Sequence, residues 1–256
     1  MTGKGVRVAL VDSGINPHHS HVERVEGGVS FFLDGTGTLR QNDNFLDRLG
    51  HGTALAGILR AKAPGIELYA VKIFHDRLAT HFTVLEAALL WAIDSGVKII
   101  NLSLGTNNPG HQKRLESVVT KAKAAGTIIV ASAPPNGAEW LPAALPGVVG
   151  VAGDDRCGWG EHLYMADDPI AFRAHPCPRS LPGPAQQRNF RGHSFASAHL
   201  TSEIALLAEK APSLTSEEAK AYLIDTARGI AAHEPEGSSQ LTPLRGSRGT
   251  LPNDPS

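Results

Sequence analysis

Short apolar runs alternate along this chain with longer stretches in which apolar residues recur every three or four positions. The runs Val6–Val11, Ile66–Phe74, Val97–Leu102, Thr127–Val130 and Val148–Ala152 are rich in Val and Ile and carry few charges. A strand covered on both faces reads this way, because neither of its sides can be left polar. Between the runs, Phe82–Ile93 sets Val84, Leu85, Ala88, Leu89, Trp91 and Ala92 on one helical stripe, stopped by Ser95-Gly96. A polar, basic helix is predicted over Gln112–Ala125, closed by Gly126. The stretch His51–Leu59 reads as a helix whose Ala54, Ala56 and Gly57 allow close packing on a sheet. Thr215-Ser216-Glu217-Glu218 is a capping box that opens a last helix to about Ala227. Strands and helices alternating in this order predict right-handed βαβ units. The expected fold is α/β, a three-layer sandwich with a mostly parallel central sheet and helices on both faces.

Two segments lack such a pattern. Residues 16–50 are polar and loop-rich, with one strand predicted at Val29–Leu33. From Asp154 to Asn189 the chain reads as irregular, with Pro at 169, 176, 178, 182 and 184. A segment that long without structure of its own is characteristic of functional loops. No internal repeat is visible. The length of 256 residues, with 41% hydrophobic content, supports a sizeable core. One domain is expected over residues 1–230. A polar tail follows over 231–256, expected to be mobile for want of apolar residues.

Charge and cysteine content narrow the function classes. A net charge of -1 gives no basis for nucleic-acid binding. No apolar segment approaches the length of a membrane span. Val6–Val11 is short for the apolar core of a signal peptide, and Asp12 interrupts it. A cytoplasmic protein is the resulting expectation. Cys157 and Cys177 are too few for a disulfide framework and are read as reduced side chains. The 12 His residues are many, but they show no metal-ligand spacing.

Three stretches carry candidate chemistry. Asp12 ends the first strand, where open α/β sheets place their crevice; it is equally readable as a turn-forming residue. His51 stands at a helix start between Gly50 and Gly52. The positive potential there disfavours a charged imidazole unless a carboxylate offsets it. Ser194 opens the helix that runs to about Lys210. A Ser in that place is ordinarily a cap. It is also a good position for a nucleophile, because free amides at a helix start stabilise developing negative charge. A strand tip and two helix starts lie along one edge of a parallel sheet. An Asp that orients a His, which takes a proton from a Ser, turns a weak nucleophile into a strong one.

Taken in order, Val8-Ala9-Leu10-Val11-Asp12-Ser13-Gly14, Gly50-His51-Gly52-Thr53, Asn101-Leu102-Ser103-Leu104-Gly105 and Gly192-His193-Ser194-Phe195-Ala196 resemble the subtilisin-like serine peptidases. The resemblance covers roughly residues 5–210. It implies that Asp12 is the orienting acid, His51 the general base and acid, and Ser194 the nucleophile. It further implies an extended peptide or protein substrate that adds as a strand beside Ser103, Leu104 and Gly105. A side-chain pocket would then lie between that segment and Ala131, Ser132 and Ala133. The resemblance leaves calcium open, since calcium sites occur in the family, but no Asp/Glu cluster here can be assigned to one; no other cofactor is expected.

The chain also departs from the family pattern. Where the family has Gly-Asn as its oxyanion loop, this sequence reads Ala133-Pro134-Pro135-Asn136-Gly137. Asn136 is the candidate oxyanion donor; it is equally a turn residue before Gly137. Without it, the Ser194 backbone N–H remains. Ala54 stands where the family often has a second His. His193 replaces a Thr and Ala198 a Pro, while His199 is kept. The start of the sequence at its first strand matches an intracellular member without a folding pro-segment. The leading expectation is a serine endopeptidase working through an acyl-enzyme, dedicated to trimming a precursor or leader peptide. The alternative is a weak or inactive peptide-binding module on the same fold. A nucleotide-binding protein is not supported, since no Gly-rich phosphate loop follows a strand.

Overall fold

The apolar runs form the strands of one sheet, nine strands wide among the described residues. The computed structural model describes residues 1–179, 181 and 183–228. In chain order the elements are β1 (Arg7–Asp12), β2 (Gly27–Leu33), β3 (Leu39–Asn42), α1 (His51–Lys62), β4 (Glu67–Lys72), α2 (Phe82–Asp94) and β5 (Ile99–Leu102). They continue with α3 (Gln112–Ala124), β6 (Ile128–Ser132), β7 (Val148–Gly153), β8 (His162–Tyr164), β9 (Phe172–Ala174), α4 (His193–Lys210) and α5 (Ser216–Thr226). The sheet order is β3-β2-β4-β1-β5-β6-β7-β9-β8. Pairing is parallel from β2 through β9, and only the outer strands β3 and β8 run antiparallel.

Strand alternation sorts the core into two layers. Val8, Leu10, Ile99, Val130 and Val149 pack under α1, α4 and α5. Ala9, Val11, Ile100, Ile129 and Ala131 face α2 and α3 on the opposite side. The three-layer expectation therefore holds. Asp12 shares the parity of Val8 and Leu10, which places it on the face that α1 and α4 cover. The predicted capping box is present: Thr215 Oγ1 accepts from Glu218 N, and Glu218 Oε2 accepts from Thr215 N. No described helix is long and apolar enough to cross a membrane.

The differences from expectation lie at the sheet edges. Segment 16–50 carries β3 as well as β2, and all four residues of β3 are exposed. Segment 154–189 contains β8 and β9, three residues each, in place of an irregular run. Arg173 in β9 is buried and tied to Asp168 and to the Ile170 carbonyl. The tail over 231–256 lies outside the described residues.

Candidate active site

Each predicted residue stands where an element begins or ends at the carboxyl edge of the sheet. Asp12 is the last residue of β1 and is fully buried. Its Oδ1 accepts from His51 Nδ1 at 2.7 Å and from the Ser13 N–H at 2.8 Å. Two donors on one carboxylate oxygen hold it in a single orientation. Asp12 Oδ2 is buried without a protein partner among the described residues. An acceptor in that state is an asset if a positive charge develops nearby.

His51 is the first residue of α1, and several groups fix the start of that helix. Asp47 accepts from the Leu49 and Gly50 amides through Oδ1, and from the Thr53 amide and hydroxyl through Oδ2. Ser13 Oγ accepts from the Gly52 N–H at 2.9 Å. Gly52 approaches β1 so closely that an added Cβ would stand 2.1 Å from the Gly14 carbonyl oxygen. Gly50, at φ 80°, makes the left-handed turn into the helix. Burial of the His51 ring alone would lower its pKa. The hydrogen bond to Asp12 and the charges of Asp12 and Asp47 outweigh burial, so the net direction is up from the ordinary 6.5.

Ser194 follows His193 at the start of α4. The next residue, Phe195, is fully buried, and its ring lies 5.3 Å centroid to centroid from the His51 ring. This contact brings the His51 imidazole beside the segment that carries Ser194. In this conformation Ser194 Oγ donates to the Ser103 carbonyl at 3.1 Å, and no hydrogen bond joins it to His51. The Ser194 amide has no acceptor among the described residues, as is usual for a first-turn N–H.

A buried polar chain ties this helix start to the sheet. Thr201 Oγ1 donates to Asn101 Oδ1 at 2.9 Å, and Asn101 Nδ2 donates to Ser103 Oγ at 2.9 Å. Ser197 Oγ lies 3.4 Å from Ser103 Oγ and donates to the Ser194 carbonyl at 2.7 Å. Ser13, Asn101 and Ser103 lie in the motifs quoted above, but Asp47, Ser197 and Thr201 were not singled out in the sequence. The one available signal was the density of small polar residues flanking the three motifs.

The proposed substrate edge and pocket are adjacent. A Cβ on Gly105 would lie 3.6 Å from the Ser132 carbonyl oxygen and 3.0 Å from that of Leu141. Ala131, Ser132 and Ala133 are buried and end β6 beside β5. The Leu104 and Gly105 amides have no backbone acceptor among the described residues. Thr106 is bridged to Leu141 by a pair of 2.8 Å hydrogen bonds. A cavity of about 270 Å3 opens beside this edge, lined in part by Phe74, Leu85, Leu104 and Gly105.

Asn136 lies in a tight turn. It is exposed, sits at φ 57°, and its backbone N–H points to the Asp168 carboxylate, 3.2 Å from each oxygen. Asp168 is held in turn by Arg173 and the Ile170 amide. The turn reading of Asn136 thus describes its backbone. Ala54 and Ala198 pack in the core layer under α1 and α4. His199 is buried, donates through Nε2 to the Cys177 carbonyl, and burial pushes it down to about 3. Cys157 and Cys177 are both buried and are not joined by a disulfide. Among the described residues no group of three or more His, Cys, Asp or Glu converges on a point where a metal could sit.

Comparison with known proteins bears on the family and the fold. The model of the subtilase family matches residues 3–155 and 174–247. Subtilisin Savinase of Lederbergia lenta is 30% identical over 253 residues, which cover 93% of this chain and 89% of that protein. M-protease of Shouchella clausii is 30% identical over 245 residues, covering 90% of this chain. Alkaline elastase YaB of a Bacillus species is 29% identical over 247 residues, also 90% of this chain. The chain spans 61% of the length of each of these last two. Among solved structures, a protease of Pseudoalteromonas arctica superposes with a TM-score of 0.72 at 20% identity, covering 89% of this chain and 84% of that one. A lanthipeptide protease superposes with a TM-score of 0.65 at 19% identity, covering 85% and 78%. At such identities the likeness is one of fold. A family model that follows the chain from β1 past α4, together with 30% identity across nearly all of it, makes this protein a member of the subtilase family.

Proposed function

We propose that the protein is a serine endopeptidase in which Asp12, His51 and Ser194 act as the triad. The observation that carries this reading is the buried 2.7 Å bond from His51 Nδ1 to Asp12. It leaves Nε2 as the nitrogen that can accept a proton. Rotation of the Ser194 side chain away from the Ser103 carbonyl brings Oγ toward that nitrogen. Oγ then bonds to the scissile carbonyl carbon as its proton passes to Nε2, and the carbonyl π pair moves onto oxygen. Collapse breaks the C–N bond, and the imidazolium returns its proton to the leaving amine. Water repeats the sequence on the acyl-enzyme. Asp12 balances the imidazolium charge throughout. The free Leu104 and Gly105 amides support an extended peptide laid along the segment that follows β5.

The rebuilt oxyanion loop and the absence of a disulfide between Cys157 and Cys177 support a dedicated intracellular processing role rather than general digestion. The Ser194 bond to Ser103 favours a second reading, an inactive peptide-binding module. A fluorophosphonate probe decides between them. Covalent labelling of the wild type, lost in Ser194→Ala, is the expected result; a folded wild type that never labels refutes the peptidase reading. Digestion of a proteome-derived peptide library tests the role: a few cleaved sequences are expected, and broad cleavage refutes it. Recovery of the native protein outside the cytoplasm after cell fractionation refutes the intracellular location.

A further inference from the structure

One part of the proposed mechanism lacks a residue. Ser194 N–H supplies one oxyanion donor, while Asn136 stands in an exposed turn whose backbone N–H bonds to the Asp168 carboxylate. The residue directly before the nucleophile offers another group. His193 is half-buried at the start of α4, and its Nδ1 lies 3.0 Å from the Gly153 backbone nitrogen. A backbone N–H only donates, so Nδ1 is the accepting, unprotonated nitrogen. The proton of the neutral ring is therefore on Nε2. That nitrogen has no protein acceptor among the described residues, and it is not among the buried atoms left unpaired.

Gly153 ends β7 at the carboxyl edge of the sheet, and Val151, two residues earlier, pairs with Ser132 of β6. A Cβ on Gly153 would come within 3.3 Å of the Gly192 carbonyl, so the end of β7 and the start of α4 touch. The ring is thus held by its Nδ1 edge at the end of β7, on the residue that directly precedes Ser194, with its N–H edge unclaimed. Burial and the nearby Arg173 cation both push the His193 pKa below its ordinary value, which keeps the ring neutral. A neutral donor locked in one tautomer is what a preorganised oxyanion site requires.

We propose that the Nε2–H of His193 is the second oxyanion donor, acting beside the Ser194 N–H; this rests on the peptidase reading above. As the substrate carbonyl oxygen gains its negative charge, it takes one hydrogen bond from each.

The test needs no knowledge of the natural substrate. In fluorophosphonate labelling, Ser194 Oγ bonds to phosphorus, fluoride leaves, and the phosphoryl oxygen occupies the oxyanion position. His193→Ala is expected to label about a hundred- to a thousandfold more slowly than wild type, the usual loss for one such donor. His193→Gln, which keeps a side-chain N–H, recovers much of the rate, and Asn136→Ala labels like wild type. Labelling of His193→Ala at the wild-type rate overturns the proposal, as does transfer of the loss to Asn136→Ala. If wild type itself fails to label, the peptidase reading falls and this inference with it. A measurement on wild type guards against a variant that does not fold. The His193 imidazole 15N–1H resonance is expected to shift on phosphonylation of Ser194, and an unmoved resonance overturns the proposal.

Discussion

The two sides of the cleft are held in different ways. On the Asp12–His51 side nearly every polar group has a fixed partner. Asp12 is held by Ser13 and His51, Gly52 by Ser13, and the α1 start by Asp47. On the Ser194 side, the nucleophile is parked on a backbone carbonyl, and the loop after β6 is fastened through its backbone to Asp168. Under the proposed function, the contrast separates the acid–base pair from the oxyanion site. The acid–base pair depends on a buried charge, whose geometry cannot relax cheaply. The oxyanion site needs only N–H groups in the right place, and several residue types can supply one.

Asp12→Asn should have the largest effect. An amide in place of the carboxylate favours the wrong imidazole tautomer, and peptide turnover or probe labelling should fall about ten-thousandfold. An undiminished rate would remove Asp12 from the mechanism. Gly52→Ala comes next. The new Cβ meets the Gly14 carbonyl, and the β1–α1 junction has no room to give. A loss of about 3 kcal/mol in urea unfolding is expected, of the order of a serious overpacking, with slower labelling beside it. Unchanged stability would mean that this side is less rigid than its hydrogen bonds imply.

The pH profile gives the third effect. His51 must be neutral to accept a proton, and its pKa lies above 6.5. Labelling should therefore fall about tenfold per pH unit as pH drops below that raised value. Stability runs the other way. The pair with Asp12 stabilises the fold fully below pH 6.5, and that contribution is lost as pH rises through the raised folded-state value. A labelling profile flat down to pH 5 would remove His51 as the base. Thr201→Val should have the smallest effect. It deprives Asn101 Oδ1 of its donor and should cost about 1 kcal/mol in thermal unfolding, with little change in labelling. A large drop in labelling instead would show that the polar chain under α4 sets the position of Ser194.

Much of this organisation was legible in the sequence. Strands buried on both faces are nearly continuous runs of Val, Ile, Leu and Ala, so β1 and β4 to β7 were visible. The capping box at Thr215 announced α5. Asp12, His51 and Ser194 were singled out because each stands in a short motif at an element end. The edge strands were hidden for physical reasons. β3, Leu-Arg-Gln-Asn, is exposed throughout and has no apolar face to reveal its period. β8 and β9 are too short for alternation to register, and β9 buries an Arg, which reads as a surface residue until its partner Asp168 is known. The tautomer of His193 depends on Gly153, 40 positions away, which no local pattern could supply.

The long reach of these contacts also sets when the site comes into being. Asp12 and His51 meet across 39 positions, Ser194 and Ser103 across 91, and Thr201 and Asn101 across 100. Contacts between such distant parts of a chain form late, because loop closure must come first. A chain still leaving the ribosome, or a fragment ending before α4, holds Asp12 and His51 but not Ser194. Under the proposed function, hydrolytic capacity then arises only once α4 has docked on the sheet.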